Sequence, residues 1–236
     1  MTHLEALNIY YQNVRGLRTK SHDFISNVLR NNYDLISLTE TWLTPDFYDG
    51  EYFHSNYNVY RRDRSGASGA ARGVRGGGVL VAVRSDLSVR RRDDWCSSPA
   101  AEELWLTLQL DSSPPGRNDT GSSFLHIACA YFPHGPGHSR ALQLFFDNVS
   151  ERMLHNADCR FLLLGDFNIS NASWILTDRT YPDFIPSDDS EVSALADFMN
   201  LSNLIQYNGC FNINGRILDL VLSNTICNVT AFETYV

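Results

Sequence analysis

The chain has 236 residues, 43% apolar and 19% charged, enough for one large domain with a buried core. Its formal net charge of −8 argues against a protein that coats nucleic acid by bulk attraction, and no apolar run reaches the length of a membrane span. The five cysteines are odd in number and form no Cys-x-x-Cys, so they read as free thiols of a reducing compartment, nuclear or cytoplasmic.

In chain order, residues 7–13 alternate loosely and predict a strand. Apolar residues at 24, 25, 28 and 29 give 21–31 a helical spacing. A short apolar strand, 34–38, leads to Glu40. Residues 57–62 read as a strand and 64–76 as a loop rich in Gly, Ser and Ala. Strand 78–84 is expected to pair with 87–92 through Ser85-Asp86 as a hairpin. Residues 103–110 alternate clearly, 111–122 form a surface loop, and 124–132 return as a strand. Ser139 is the expected cap of a helix over 140–155, with Leu142, Phe145, Phe146, Val149, Met153 and Leu154 on one face. Strand 161–164 is fully apolar and ends in Gly165-Asp166. Residues 170–190 read as irregular and acidic, 191–203 as a helix, 218–222 as a late strand and 229–232 as a weak one. Several strands follow one another without a helix. The pattern predicts an α/β fold of two packed, mostly antiparallel sheets flanked by helices, and not a doubly wound sheet.

Charge is unevenly placed. Nine of the nineteen basic residues fall between Asn58 and Trp95, all of them Arg, against four acids; residues 158–236 hold three Arg and ten acids. Arginine grips phosphate bidentately, so the basic segment is either a set of phosphate contacts or a solvated hairpin face.

Polar residues recur where apolar runs end. Gly165-Asp166-Phe167-Asn168 follows a buried strand; it is either a strand-ending turn or a pair of groups for water and phosphate oxygen. Glu40 is an apt ligand for a hard cation, or an exposed acid at a turn. Asn13 is an amide at a strand end. Asp219 interrupts an apolar run, which is costly unless the acid is paired or lies at an edge. Tyr131 either turns its phenol to a phosphate or is a core aromatic. His134 and His138 are four apart, but the intervening Gly and Pro exclude the helix that would align them on a metal. Gly76-Gly77-Gly78 leads into a strand and lacks the Lys-Ser/Thr of a phosphate loop.

Taken in order, Tyr10-Tyr11-Gln12-Asn13-Val14-Arg15-Gly16-Leu17-Arg18, Thr39-Glu40-Thr41-Trp42-Leu43, Tyr60-Arg61-Arg62-Asp63-Arg64 with Arg75-Gly76-Gly77-Gly78, Ala130-Tyr131-Phe132-Pro133, Gly165-Asp166-Phe167-Asn168 and Leu218-Asp219-Leu220-Val221-Leu222-Ser223-Asn224 form a specific set. It resembles the endonuclease/exonuclease/phosphatase superfamily almost end to end, above all the apurinic-endonuclease-like domain of non-LTR retrotransposons. The resemblance implies a four-layer α/β sandwich. It implies Mg²⁺- or Mn²⁺-dependent nicking of DNA to leave a 3′-hydroxyl that primes reverse transcription, with a C-terminal reverse transcriptase domain in the full-length parent. By position it makes Glu40 the metal ligand, assisted by Asn13. Tyr131 and Asn168 would contact the scissile phosphate, Asp166 would orient or activate water, and Asp219 would support a catalytic histidine. Arg61, Arg62, Arg64 and Arg75 would touch the DNA backbone.

The sequence also departs from that pattern. No histidine follows His155, so residues 1–236 are expected to form a single domain lacking the final strand and the catalytic His motif, with an exposed sheet edge. Loss of that group would lower the rate by about 10²–10⁴-fold. Arg15 stands where some relatives carry an acid. A phosphomonoesterase acting on lipid or nucleotide phosphates, and a non-catalytic DNA-binding remnant, are the alternative expectations.

Overall fold

Alternating apolar residues build two facing sheets, because successive side chains of a strand point to opposite faces. A computed structural model describes residues 6–20, 24, 26, 28–64, 76–99, 101–110, 123–177 and 179–231. The first sheet has the order β1-β2-β4-β3, from β1 (Ile9–Asn13), β2 (Leu35–Thr39), β3 (Tyr57–Arg62) and β4 (Val79–Arg84). The second runs β11-β12-β8-β7-β6-β5, from β5 (Val89–Arg91), β6 (Glu102–Gln109), β7 (Phe124–Tyr131), β8 (Arg160–Asp166), β11 (Ile205–Gln206) and β12 (Asp219–Ser223). Only β1·β2 and β7·β8 pair in parallel; the other ladders in both sheets are antiparallel. The expected mostly antiparallel α/β architecture is the one observed.

Three apolar cores follow from the strand phase. Leu104, Leu106, Leu108, Leu125, Ile127, Leu162 and Leu164 on one sheet meet Leu35, Val79, Val81 and Val83 on the other. The opposite phase of the second sheet, with Trp105, Ala128, Phe161, Leu163 and Leu222, lies under α1 (His138–His155) and α2 (Ser190–Leu201). α1 buries Leu142, Phe145, Phe146 and Val149, the i, i+3, i+4, i+7 stripe of an amphipathic helix. The outer face of the first sheet, with Tyr10, Ile36, Leu38, Leu80 and Ala82, is covered by Leu17, Phe24, Val28, Tyr52 and Phe53. No helix among the described residues is long and apolar enough to cross a membrane.

Several local expectations change. The 78–84/87–92 hairpin does not form: β5 pairs with β6 of the other sheet, with Val89 opposite Leu108 and facing the inter-sheet core. Arg84, bound to Asp86 and Asp34, holds the turn at which the chain leaves the first sheet. Ser139 is not a cap; Gly137 stands at that position and the Ser139 hydroxyl donates to Glu191 on α2. Asp189 caps α2 through the N–H groups of Glu191 and Val192. Residues 170–190 contain a small hairpin, β9 (Ser173–Ile175) with β10 (Asp183–Ile185), closed by Trp174 against Phe184. In the expected helix 21–31, residues 21–23, 25 and 27 lie outside the described residues, and Leu29–Asn31 is a 3-10 turn. The loops at 65–75 and 111–122 also lie outside them, as does residue 232 of the weak strand expected at 229–232; residues 229–231 form no strand. None of the five cysteines is in a disulfide.

Strand β7 carries one histidine on its helix-facing side. His126 is buried between Trp95 and Phe161, with ring centroids at 4.6 and 4.9 Å, and Nδ1 is 2.9 Å from the Thr107 hydroxyl. Burial, with Arg92 adding to it, pushes its pKa down to about 4. The folded state therefore resists a proton that the unfolded chain accepts near the ordinary 6.5, so stability present above pH 6.5 is lost as the pH falls toward 4. The loss should reach about 2 kcal/mol after discounting for partial solvation. In urea titrations at pH 7 and pH 4.5, His126→Gln should shrink the difference by that amount; an unchanged difference would assign the acid limb to other groups.

Candidate functional site

The register of the second sheet puts four polar side chains in one row. Glu102 pairs with Tyr131, Tyr131 with Asp166, and Asp166 with Asp219. Paired residues share a face, and this face is the one that buries Leu104, Cys129, Leu164 and Val221 between the sheets. Each strand's inward alternation thus ends in a polar residue at the sheet edge. Asn13 ends β1 of the facing sheet opposite Thr39, and Glu40 is the next residue after it. Asn13, Glu40, Tyr131, Asp166, Asn168 and Asp219 line a single open groove of about 1380 Å³, which runs along β1.

Hydrogen bonds join the two rows. Asn13 Nδ2 donates to Glu40 Oε1 at 2.9 Å and to Asp166 Oδ2 at 2.8 Å. The Asn168 N–H donates to Asp166 Oδ1 at 3.1 Å, and Asn168 Nδ2 donates to the Phe132 carbonyl at 2.9 Å, so the turn after β8 is fastened to the end of β7. The Trp42 indole N–H donates to Glu40 Oε2 at 3.3 Å. The Tyr11 hydroxyl donates to Asp219 Oδ1 at 2.5 Å and lies 3.2 Å from the Thr39 hydroxyl. Tyr11, and not a histidine, is thus the partner of the Asp219 carboxylate among the described residues.

The backbone is unusual here. Arg15, Glu40, Trp42 and Asn168 all adopt left-handed conformations, with φ of 44°, 53°, 56° and 53°. Such residues cost about 1–2 kcal/mol each outside glycine and persist where surrounding contacts impose them. Those contacts are visible: the Glu40 and Thr41 carbonyls accept from Gly16 and Leu17, while the Thr41 and Trp42 N–H groups donate to Gly78 and Gly77. A Cβ on Gly16 would lie 2.7 Å from the Trp42 ring, so the indole rests on bare backbone.

Asp166, Asp219 and Glu40 place negative charge in a half-dry groove. Burial first, and then Asp219, raise the Asp166 pKa to about 7, against the opposing bonds from Asn13 and the Asn168 N–H. Asp219 is raised by burial, with the Tyr11 bond and Arg15 acting the other way. Tyr131 is pushed up to about 12 by burial and by Glu40 and Asp166. No histidine–cysteine–carboxylate cage of three or more groups exists among the described residues. A carboxylate, an amide and further acids beside an open groove fit a hard divalent cation that keeps most of its water, such as Mg²⁺ or Mn²⁺; Glu40 with Asn13 would hold it.

The basic segment separates into parts. Arg61 donates to Asp49 and the Thr44 carbonyl. Arg62 donates to Cys96 Sγ and the Pro99 carbonyl. Both therefore bind loops of the protein. Arg64 lies over the Tyr131 ring, 5.7 Å from its centroid. Arg75 lies outside the described residues. His138 is engaged by Glu191 and the Phe167 carbonyl. Sequence reasoning assigned nothing to Tyr11, Trp42 and Glu102. Tyr11 could have been found from its phase, two residues before Asn13 on one strand face, and Glu102 from the head of the alternating strand it opens.

The Endonuclease/Exonuclease/phosphatase family matches residues 7–235. No curated protein matches the sequence. Among solved structures, the AP endonuclease LMAP from Leishmania major is similar at 18% identity and TM-score 0.60, over 93% of this chain and 79% of that one. The endonuclease domain of TRAS1, a telomere-specific non-LTR retrotransposon, gives 12% and 0.56 over 92% and 83%. The 3′ phosphatase NExo from Neisseria, bound to product DNA hairpin, gives 16% and 0.55 over 92% and 86%. With a family match spanning nearly its whole length, and with its two facing sheets ending in one polar groove, the chain belongs to the Endonuclease/Exonuclease/phosphatase family.

Proposed function

We propose that the chain is a divalent-cation-dependent phosphodiesterase that nicks DNA and leaves a 3′-hydroxyl. The observation that carries this reading is the Asn13–Glu40–Asp166 hydrogen-bonded chain across the two sheets, with Asn168 and Tyr131 beside it in one groove. Asp166 is placed to take the proton of a water that attacks phosphorus as the bond to the 3′-oxygen breaks. Asn168 and Tyr131 present neutral polar groups to phosphate oxygens without adding charge. The bound cation would supply neutralisation of charge on the phosphate and the departing oxygen. Tyr11 keeps Asp219 oriented, and Asp219 helps keep Asp166 basic enough to accept a proton. The ordered motifs and the likeness to the TRAS1 domain support a parent element with a reverse transcriptase primed by the new 3′ end.

Supercoiled plasmid incubated with Mg²⁺ or Mn²⁺ should relax to the nicked circle, and EDTA should prevent it. End-labelling should then find 3′-hydroxyls. Turnover of a small phosphomonoester with an untouched plasmid would replace this reading by the phosphatase one. Trp42→Phe keeps an aromatic ring beside Gly16 and removes the N–H to Glu40. The Mg²⁺ concentration for half-maximal nicking should rise about 10-fold, in the range seen when the partner of a metal ligand is lost. Direct Mn²⁺ titration followed by electron paramagnetic resonance should show the same weakening. Equal affinity in parent and variant would remove Trp42 from the site.

A further inference from the structure

Of the arginines on β3 and directly after it, Arg64 lies over Tyr131, a residue of the groove, and it does so on a built mount. Its Nε donates to Glu102 Oε1 at 2.6 Å, and the guanidinium lies over the Tyr131 ring, 5.7 Å from the centroid. Glu102 is the register partner of Tyr131, so carboxylate and phenol stand side by side on one sheet face. The second Glu102 oxygen accepts from the Gly78 N–H at 2.5 Å. Gly77 has φ +76°, and a Cβ there would overlap both Arg64 Nε and the Glu102 carboxylate. The glycine leaves the space that the ion pair fills.

The pair is well shielded, with side chains 23% and 11% exposed. Arg64 Nη2 is buried with no hydrogen-bond partner. Such a pair is costly to desolvate and contributes little net stability, so its best-supported use is to fix geometry. Here the geometry fixed is that of an aromatic residue that lines the groove. Cation and ring face also attract directly.

We propose that Glu102 and Arg64 are a positioning unit for Tyr131: the clamped guanidinium sets the ring's place and holds positive charge beside the phenol that meets a substrate phosphate. This rests on the reading of Tyr131 as a phosphate contact. It also separates Arg64 from Arg61 and Arg62, whose guanidinium groups are bound to protein loops away from the ring.

A double-mutant cycle tests it. With duplex DNA and saturating Mg²⁺, Arg64→Met should lower kcat/KM about 10-fold in the parent and less than about 2-fold in Tyr131→Phe, because a residue acting through Tyr131 has nothing left to position. Equal losses in the two backgrounds would overturn the proposal. A second measurement does not need turnover. The protein carrying 3-fluorotyrosine is observed by ¹⁹F NMR, with the Tyr131 resonance identified by its loss in Tyr131→Phe. That resonance should shift in both Arg64→Met and Glu102→Gln; a resonance unmoved in both would also overturn it. If the parent fails to nick DNA while the resonance shifts, the nuclease reading falls and the positioning stands.

Discussion

Asp166→Asn is expected to lower Mg²⁺-dependent nicking of supercoiled plasmid by about 10³-fold and, in the same protein without metal, to raise stability. Both effects come from one buried carboxylate. An amide keeps the shape and one accepting oxygen, for Asn13 or for the Asn168 N–H but not both, and it cannot take a proton from water. Asp166 is only 4% exposed, and burial followed by Asp219 raises its pKa to about 7, from an ordinary value of 3.8. The folded state thus holds this proton to a higher pH than the unfolded chain does. Proton-linked stability is greatest below pH 3.8 and is lost as the pH rises toward 7. Above pH 7, in EDTA, the deficit should be about 4 kcal/mol, and Asp166→Asn should recover part of it. Urea unfolding at pH 8 should show the variant ahead of the parent, and at pH 4 the two should coincide. Mg²⁺ should raise the Tm of the parent more than that of the variant. Glu40→Gln should lose nicking to a similar degree, because Glu40 is the proposed cation ligand. Parent-like nicking by both variants would mean that chemistry occurs elsewhere.

The sheets were legible in the sequence because their signals are local. Residues 103–110 alternate, whereas 124–131 and 160–166 are largely apolar because they are buried on both faces. Asn13, Glu40, Asp166, Asn168 and Asp219 stood out because each polar group closes or interrupts an apolar run, and the groove collects all five. What was not legible depends on partners far away in sequence. Whether residues 87–92 join β4 or β6 turns on Val89 meeting Leu108, a contact that no local pattern encodes. Ser139 looked like a cap because nothing in the local sequence announces that Glu191 takes its hydroxyl. The basic stretch looked uniform because composition does not distinguish an Arg that binds Asp49 from one that lies over Tyr131.

Gly165→Ala should be the most damaging glycine-to-alanine change among the described residues, costing about 3 kcal/mol or more. The backbone angle is not the reason, since Gly165 is not among the residues of positive φ. The reason is a close approach: a Cβ there would fall inside the van der Waals shell of the Ala130 carbonyl and meet the Ala130 backbone nitrogen within 3.2 Å. These are ladder atoms of β7, not the end of a flexible side chain, so the two strands themselves must part. They part at the step that carries Tyr131 and Asp166, because Ala130 pairs with Gly165 and the next pair is Tyr131 with Asp166. Displacement of a reacting group by about 1 Å can cost 10²-fold in rate. Stability and nicking should therefore fall together, whereas Asp166→Asn separates them. Gly50→Ala is the control, since a Cβ there meets nothing within 4 Å and its φ is not positive. Urea midpoints should leave Gly50→Ala at the parent value and move Gly165→Ala far below it. If the two variants unfold together, the glycine before Asp166 serves only as a turn former, and the tight β7–β8 step is not what places the site.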